Sequence, residues 1–118
     1  MPVDRPINQP EGAIFIKAAI GVLDGKWKLL ILWHLREGEK RFGELNRLIP
    51  EISEKVLTQQ LRSLEKDGII DRTVQEGNPP NVEYSFTEHG RSIHNILKPL
   101  CDWGEMHIEY MKKQIATS

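Results

Sequence analysis

The sequence predicts a mainly α-helical domain carrying one small β-hairpin, an α+β arrangement, on three observations. Ser53 to Gly68 (SEKVLTQQLRSLEKDG) places Leu57, Leu61 and Leu64 within about 60° of helical arc, the stripe a helix buries against a core. Phe42 to Ile49 is a shorter amphipathic segment that ends at Pro50, and Pro50, Glu51, Ile52 and Ser53 lead from it into the longer helix. Ile69 to Gln75 and Val82 to Thr87 are two β-type segments on either side of the turn cluster EGNPPN at residues 76–81. Helix, helix, strand, turn, strand is the order of a winged helix-turn-helix, with residues 76–81 as the wing tip.

The elements follow in order. Residues 1–12 contain three prolines and little periodicity, and are expected to form an irregular arm. Ala13 to Leu23 carries Ile16, Ala19, Ile20 and Leu23 on one helical face. Asp24 is a candidate cap for a second helix, Lys26 to Arg36 or Glu37, whose core positions are Trp27, Leu30, Ile31 and Leu35 and whose stop is Gly38. In the helix-turn-helix, Phe42, Leu45, Leu48 and Ile49 form one apolar side. Ser53 is a good N-cap for the next helix, and Gly68 ends it. Val82, Tyr84 and Phe86 alternate with Glu83, Ser85 and Thr87, so one face of that strand is buried. A long last helix is expected from Glu88 to about Lys112, with Pro99 removing one backbone hydrogen bond and kinking it. The domain then spans residues 13–112, with a disordered tail at 113–118.

Composition narrows the class without naming it. A chain of 118 residues makes one domain, and 39% hydrophobic with 28% charged residues is ordinary for a soluble protein. No apolar run approaches the roughly 20 residues that span a bilayer, and the N-terminus lacks a secretory pattern. A cytoplasmic protein without membrane contact is expected. The single cysteine, Cys101, excludes an intrachain disulfide and a cysteine-rich zinc site. His89, His94 and His107 with Cys101 do not fall on one helical face, so no metal site is expected. No Ser-His-Asp arrangement, paired acid or phosphate-cradling glycine loop points to an enzyme or a cofactor.

The Ser53–Gly68 helix carries the functional signal. Lys55, Gln59, Arg62 and Lys66 lie almost opposite its leucine stripe, with Thr58 and Ser63 on the flanks. Lys, Gln, Arg and Thr are side chains that pair with base edges and phosphates in a major groove. The other reading of such a face is plain solvation. The short turn before the helix favours the groove, because the second member of a helix-turn-helix enters it. Candidate contacts are Ser53, Lys55, Thr58, Gln59 and Arg62 on this helix, with Lys26, Lys40 and Arg41 ahead of it and Asn78 and Asn81 in the wing. A net charge of −1 is low for a nucleic-acid binder. The charge is uneven, however: residues 26–41 hold five basic and two acidic side chains, whereas residues 76–118 hold four basic and six acidic ones. Low non-specific affinity fits a regulator better than a coating protein. A winged helix used for protein–protein contact is the competing class.

The first and last helices carry more apolar surface than so small a domain covers alone. Ile14, Phe15, Ile20, Ile93, Leu97, Leu100, Trp103 and Met111 are the candidate interface of a homodimer, unless the last helix folds back on its own domain. A two-fold dimer also suits recognition, since paired helices about 34–36 Å apart read successive major grooves of a palindromic site in double-stranded DNA.

Four segments carry a family resemblance: DGKWKLLIL at 24–32, RFGEL at 41–45, ISEKVLTQQL at 52–61 and VEYSFTEHG at 82–90. Together they resemble the HxlR-type winged helix-turn-helix transcriptional regulators over about residues 14–104. The resemblance implies a prokaryotic homodimer joined through its first and last helices. It also implies an inverted-repeat operator and often a response to an electrophile, oxidant or metabolite. A transcriptional regulator is expected, a repressor rather than an activator. Members often carry arginine after the two wing prolines, where this chain has Asn81. Redox-responsive members carry a cysteine at the start of the first helix, where this chain has Ile14. Cys101 is therefore expected to be a buried structural cysteine, and operator binding not to depend on thiol oxidation. Control would fall either to a small apolar effector between the first, second and last helices, with Phe15, Trp27 and Trp103 lining its site, or, with a fully packed core, to expression level alone.

Overall fold

The leucine stripe at Leu57, Leu61 and Leu64 is buried in the centre of the molecule, no more than 1% exposed at any of the three, and the other elements are arranged around it. The computed structural model describes residues 9–117. These form α1 (Gln9–Leu23), α2 (Lys28–Leu35), β1 (Lys40–Arg41), α3 (Phe42–Leu48), α4 (Glu54–Lys66), β2 (Ile70–Gln75), β3 (Asn81–Phe86) and α5 (His94–Thr117). The strands make one antiparallel sheet in the order β1-β3-β2, with Ile70 opposite Phe86, Arg72 opposite Tyr84 and Arg41 opposite Glu83. This is a winged helix-turn-helix.

The core is drawn from nearly every element. Ile31, Leu32 and Leu35 of α2 meet Leu45 and Ile49 at α3, the α4 leucines, Ile69 and Ile70, and Tyr84 and Phe86 of β3. Lys28 is also buried. Its apolar stem lies against the domain while its Nζ reaches Asp24 Oδ1 at 3.3 Å. Asp24 therefore pairs with this lysine rather than capping α2, whose N-cap is Trp27. Leu30, expected in the core, is 43% exposed, because α2 turns its 29–30 edge away from the sheet.

Two joints hold the wing to the helices. At the end of α4, Ile69 N–H donates to the Leu64 carbonyl and Gly68 N–H to that of Glu65, both at 3.0 Å. Gly68 takes φ = +75°, the left-handed conformation that this closure of a helix end requires. Thr87 makes the second joint. Its hydroxyl donates to the Gly68 carbonyl at 2.6 Å and accepts from Gly90 N–H at 2.8 Å. Its own N–H donates to the Ile69 carbonyl at 3.0 Å. Gly90 packs so closely on Ile69 that a Cβ would collide with the Ile69 carbonyl. The chain there forms a 3-10 turn, Gly90–Ile93, so α5 begins at His94 rather than near residue 88.

The ends differ from the sequence reading. Residues 9–12, expected in an irregular arm, belong to α1. Pro10 falls in the first described turn, where a missing N–H costs little. Residues 1–8 of that arm lie outside the described residues. α5 runs to Thr117 through a stretch free of Gly and Pro, so residues 113–117 of the expected disordered tail are helical. The helix continues on both sides of Pro99. β1 went unpredicted, since its two residues, Lys40 and Arg41, carry no periodicity. No described helix is long and apolar enough to cross a membrane.

α1 and the later part of α5 project from the domain. The radius of gyration is 17.2 Å, against about 13.5 Å for a compact chain of this length. Beyond Leu97 no described residue of α5 is buried. The Thr87–Gly90 joint yields a direct expectation. Gly90→Ala must push the Ile69 backbone away from β3 and should lower the unfolding free energy by about 3 kcal/mol. Urea denaturation checks this as a lowered midpoint at unchanged slope.

Candidate nucleic-acid interface

α4 offers one clean polar face because its other face is fully used. Leu57, Leu61 and Leu64 fix the helix rotation, and Lys55, Gln59, Arg62 and Lys66 are thereby left exposed. Thr58 and Ser63 are half-buried on the flanks, as helical geometry requires. Ser53 caps the helix: its Oγ accepts from Val56 N–H at 3.1 Å, so this hydroxyl positions the helix start. Asn46 Nδ2 donates to the Ile52 carbonyl at 3.2 Å, which holds the turn between α3 and α4.

The flanking candidates are distributed around this face. Arg41 is the N-cap residue of α3. Its backbone N–H donates to Glu44 Oε1 at 3.0 Å while its side chain is exposed. Lys40 is half-buried beside Tyr84 in the sheet register. Lys26 stands two residues ahead of α2 rather than opening it, with its ammonium 4.6 Å from the Trp27 ring centre. In the wing, Asn78 is exposed at the tip. Asn81 opens β3 and donates to Glu83 Oε2 at 3.4 Å, while Gln75 donates to Glu83 Oε1 at 3.0 Å. Glu83 thus ties both strands of the wing together next to its tip.

Two basic residues escaped the sequence reading. Arg47 is exposed on α3, and Arg72 is exposed on β2 opposite Tyr84. Strand alternation would have placed Arg72 on the same face as the buried Ile70, but past Ile70 every residue of β2 is exposed. Burial, then the positive charges of Arg36 and Lys40, push the His34 imidazole below its ordinary value, against an opposing contribution from Glu37. Among the described residues, no cluster of His, Cys, Asp or Glu could hold a metal ion.

A second surface lies on the projecting helices. Ile14, Phe15, Ile20, Leu100, Trp103 and Met111 are all exposed, between 45% and 63%. Ile93 and Leu97, expected at the same surface, are instead buried in the domain's own core at 9% and 3%, since the 3-10 turn and first turn of α5 lie against it. Trp103, His107 and Tyr110 stack along α5, with ring centres 5.1 and 6.4 Å apart. Cys101 is exposed, not buried as expected, because only Leu97 of this part of α5 faces inward.

A helix-turn-helix with a polar second helix and a β-wing defines a class of DNA-binding regulators. Within it, the HxlR-like helix-turn-helix family model matches residues 22–112, and the chain belongs to this family. It is 54% identical over 95 residues to the uncharacterized HTH-type transcriptional regulator YtcD of Bacillus subtilis, covering 80% of this chain and 75% of that protein. An uncharacterized HTH-type transcriptional regulator of Methanothermobacter thermautotrophicus is 47% identical over 92 residues, 78% of this chain and 70% of its own. Among solved structures, that of the reduced redox regulator HypR superposes with a TM-score of 0.79 at 41% identity, covering 83% of this chain and 97% of that one. The chain is a helix-turn-helix transcriptional regulator that binds DNA, not an enzyme.

Proposed function

We propose that this regulator is a sequence-specific repressor that acts as a homodimer on an inverted-repeat operator, with Lys55, Thr58, Gln59 and Arg62 entering the major groove. The carrying observation is the α4 face: an exposed row of groove-compatible side chains on a helix whose rotation is fixed by three buried leucines. Lys26, Lys40 and Arg41 supply phosphate contacts, and the wing contributes Asn78 and Asn81, which add hydrogen bonds but no charge. Ser53 stands at the groove end of α4 as its cap.

The homodimer reading rests on the exposed apolar side chains of α1 and α5. Ile14, Phe15, Ile20, Leu100, Trp103 and Met111 form an apolar surface that water would penalise on a lone chain. A pair of such chains would present two copies of α4 to one face of a duplex. Repression would follow from occupying the operator. A ligand could relieve it by favouring a dimer whose two recognition helices no longer match the groove spacing.

Two groups of substitutions separate base reading from phosphate contact. Arg62→Ala should weaken operator binding by about 1–3 kcal/mol and relax preference at one base pair per half-site. Lys26→Ala and Arg41→Ala should instead weaken binding to all sequences and lower the salt slope by about one per bound monomer each. Fluorescence anisotropy with operator and scrambled duplexes over a salt series distinguishes the two. Equal loss on every sequence for Arg62→Ala would move that residue to the phosphate group. For the dimer, Trp103→Asp places a charge in the proposed interface and should yield folded monomers by sedimentation. An undisturbed dimer would place the interface elsewhere.

A further inference from the structure

A continuous groove runs between α2 and the first half of α5, and its two ends differ in chemistry. An apolar hollow of about 250 Å³ is walled by Leu29, Leu30, Trp33, Leu97, Leu100 and Cys101. It shares Trp33, Leu97 and Cys101 with a hollow of about 490 Å³ that extends to Arg36, His94 and Lys98. That one shares Arg36 and His94 with a third, of about 360 Å³, which reaches Arg91 and Ser85 beside β3. Volumes of this order match those of small-molecule sites, about 300–1,000 Å³.

The polar end is set up for an anion. The Arg36 guanidinium carbon stands 3.8 Å from the Trp33 ring centre, and its contact to Glu37 at 3.5 Å is made by one terminal nitrogen. Arg91 and His94 face the same hollow. The His94 ring is held edge-on to Phe86, with centres 4.9 Å apart. Lys98 is drawn to Asp102 at 2.6 Å, so it contributes less than the two arginines. Glu37 and Glu39 border this hollow too and balance its two arginines, so the excess of positive charge lies at the middle hollow, lined by Arg36 and Lys98 with no acidic residue.

We propose that the α2–α5 groove binds a small amphipathic carboxylate, its aliphatic or aromatic body against Leu30, Trp33, Leu97 and Leu100 and its carboxylate on Arg36 and Arg91. The apolar wall alone would accept any apolar body; the arginine end commits the occupant to an anion, because charge-assisted bidentate pairs favour planar carboxylates. The groove joins the DNA-binding core, through α2, to α5, which carries the proposed dimer surface. Occupancy there can change the angle between the two. That consequence for operator binding rests on the homodimer reading above, and so does the part of the wall that Leu100 forms, since Leu100 also belongs to the proposed dimer surface.

The test uses the full chain and 4-phenylbutyrate, 4-phenylbutanol and 4-phenylbutylamine as probes of one body with three heads. Calorimetry should give the carboxylate an affinity about ten-fold above the alcohol, with the amine weakest. Cys101 lies on the groove, so a bound carboxylate should also slow its alkylation by iodoacetamide. Arg36→Gln combined with Arg91→Gln should abolish the difference between carboxylate and alcohol while leaving operator binding in the absence of ligand unchanged. Equal affinity for all three probes would overturn the proposal, as would carboxylate binding that leaves Cys101 alkylation unaffected. A Cys101 already inert in the wild-type dimer but reactive in Trp103→Asp would overturn it as well, by assigning the groove to a second copy of the chain. Operator affinity with and without 4-phenylbutyrate is measured separately, so failure of the dimer reading leaves the binding result standing.

Discussion

Burial of Leu57, Leu61 and Leu64 at the centre of the domain sets the orientation of everything that meets DNA. Each leucine contributes about 1.5–3 kcal/mol by leaving water, and together they remove any freedom for α4 to rotate about its axis. A helix with a weaker stripe could present Lys55, Gln59 and Arg62 at various angles. This one presents them at a single angle, with Ser53 fixing where the helix begins and Gly68 fixing where it ends. Recognition chemistry here is a by-product of core packing: the groove-compatible face is whatever the core did not take.

The same economy explains the wing and the last helix. Thr87 binds the end of α4 through the Gly68 and Ile69 carbonyls and also holds Gly90, so the recognition helix, the wing and the root of α5 meet at one residue. The root of α5 is thereby joined to the end of α4 by hydrogen bonds rather than by a loose linker. That coupling is what a regulator needs if events at its outer helices are to alter the spacing of its recognition helices. Past Leu97 the apolar side chains of α5 lie outside the domain's own core.

Much of this was legible in the sequence because it depends on short-range periodicity. The leucine stripe, the serine cap, the four-residue turn and the alternation of Val82, Tyr84 and Phe86 all lie within one or two helical turns or a single strand. Features that depend on distant parts of the chain were not legible. β1 is strand only because β3 lies beside it, and the collision of Gly90 with Ile69 spans twenty-one positions. Ile93 and Leu97 looked like their neighbours Leu100 and Trp103. Which of the four turn inward depends on where the 3-10 turn delivers α5 to the core. The exposure of Cys101 follows from the same geometry. Likewise, the α2–α5 groove joins Arg36 to Arg91 across fifty-five positions, beyond the reach of any local pattern.

Backbone amide resonances of the ¹⁵N-labelled protein, followed during titration with a duplex carrying its operator, test the central claim most directly. The account predicts that the largest shifts fall on the first turns of α4, at Lys55, Thr58, Gln59 and Arg62, with smaller ones near Arg41 and at the wing tip. Leu57, Leu61 and Leu64 would keep their side-chain methyl environments, because the core does not reorganise. If the largest changes fell instead along α1 or the outer half of α5, with α4 undisturbed, α4 would not be the element that reads DNA.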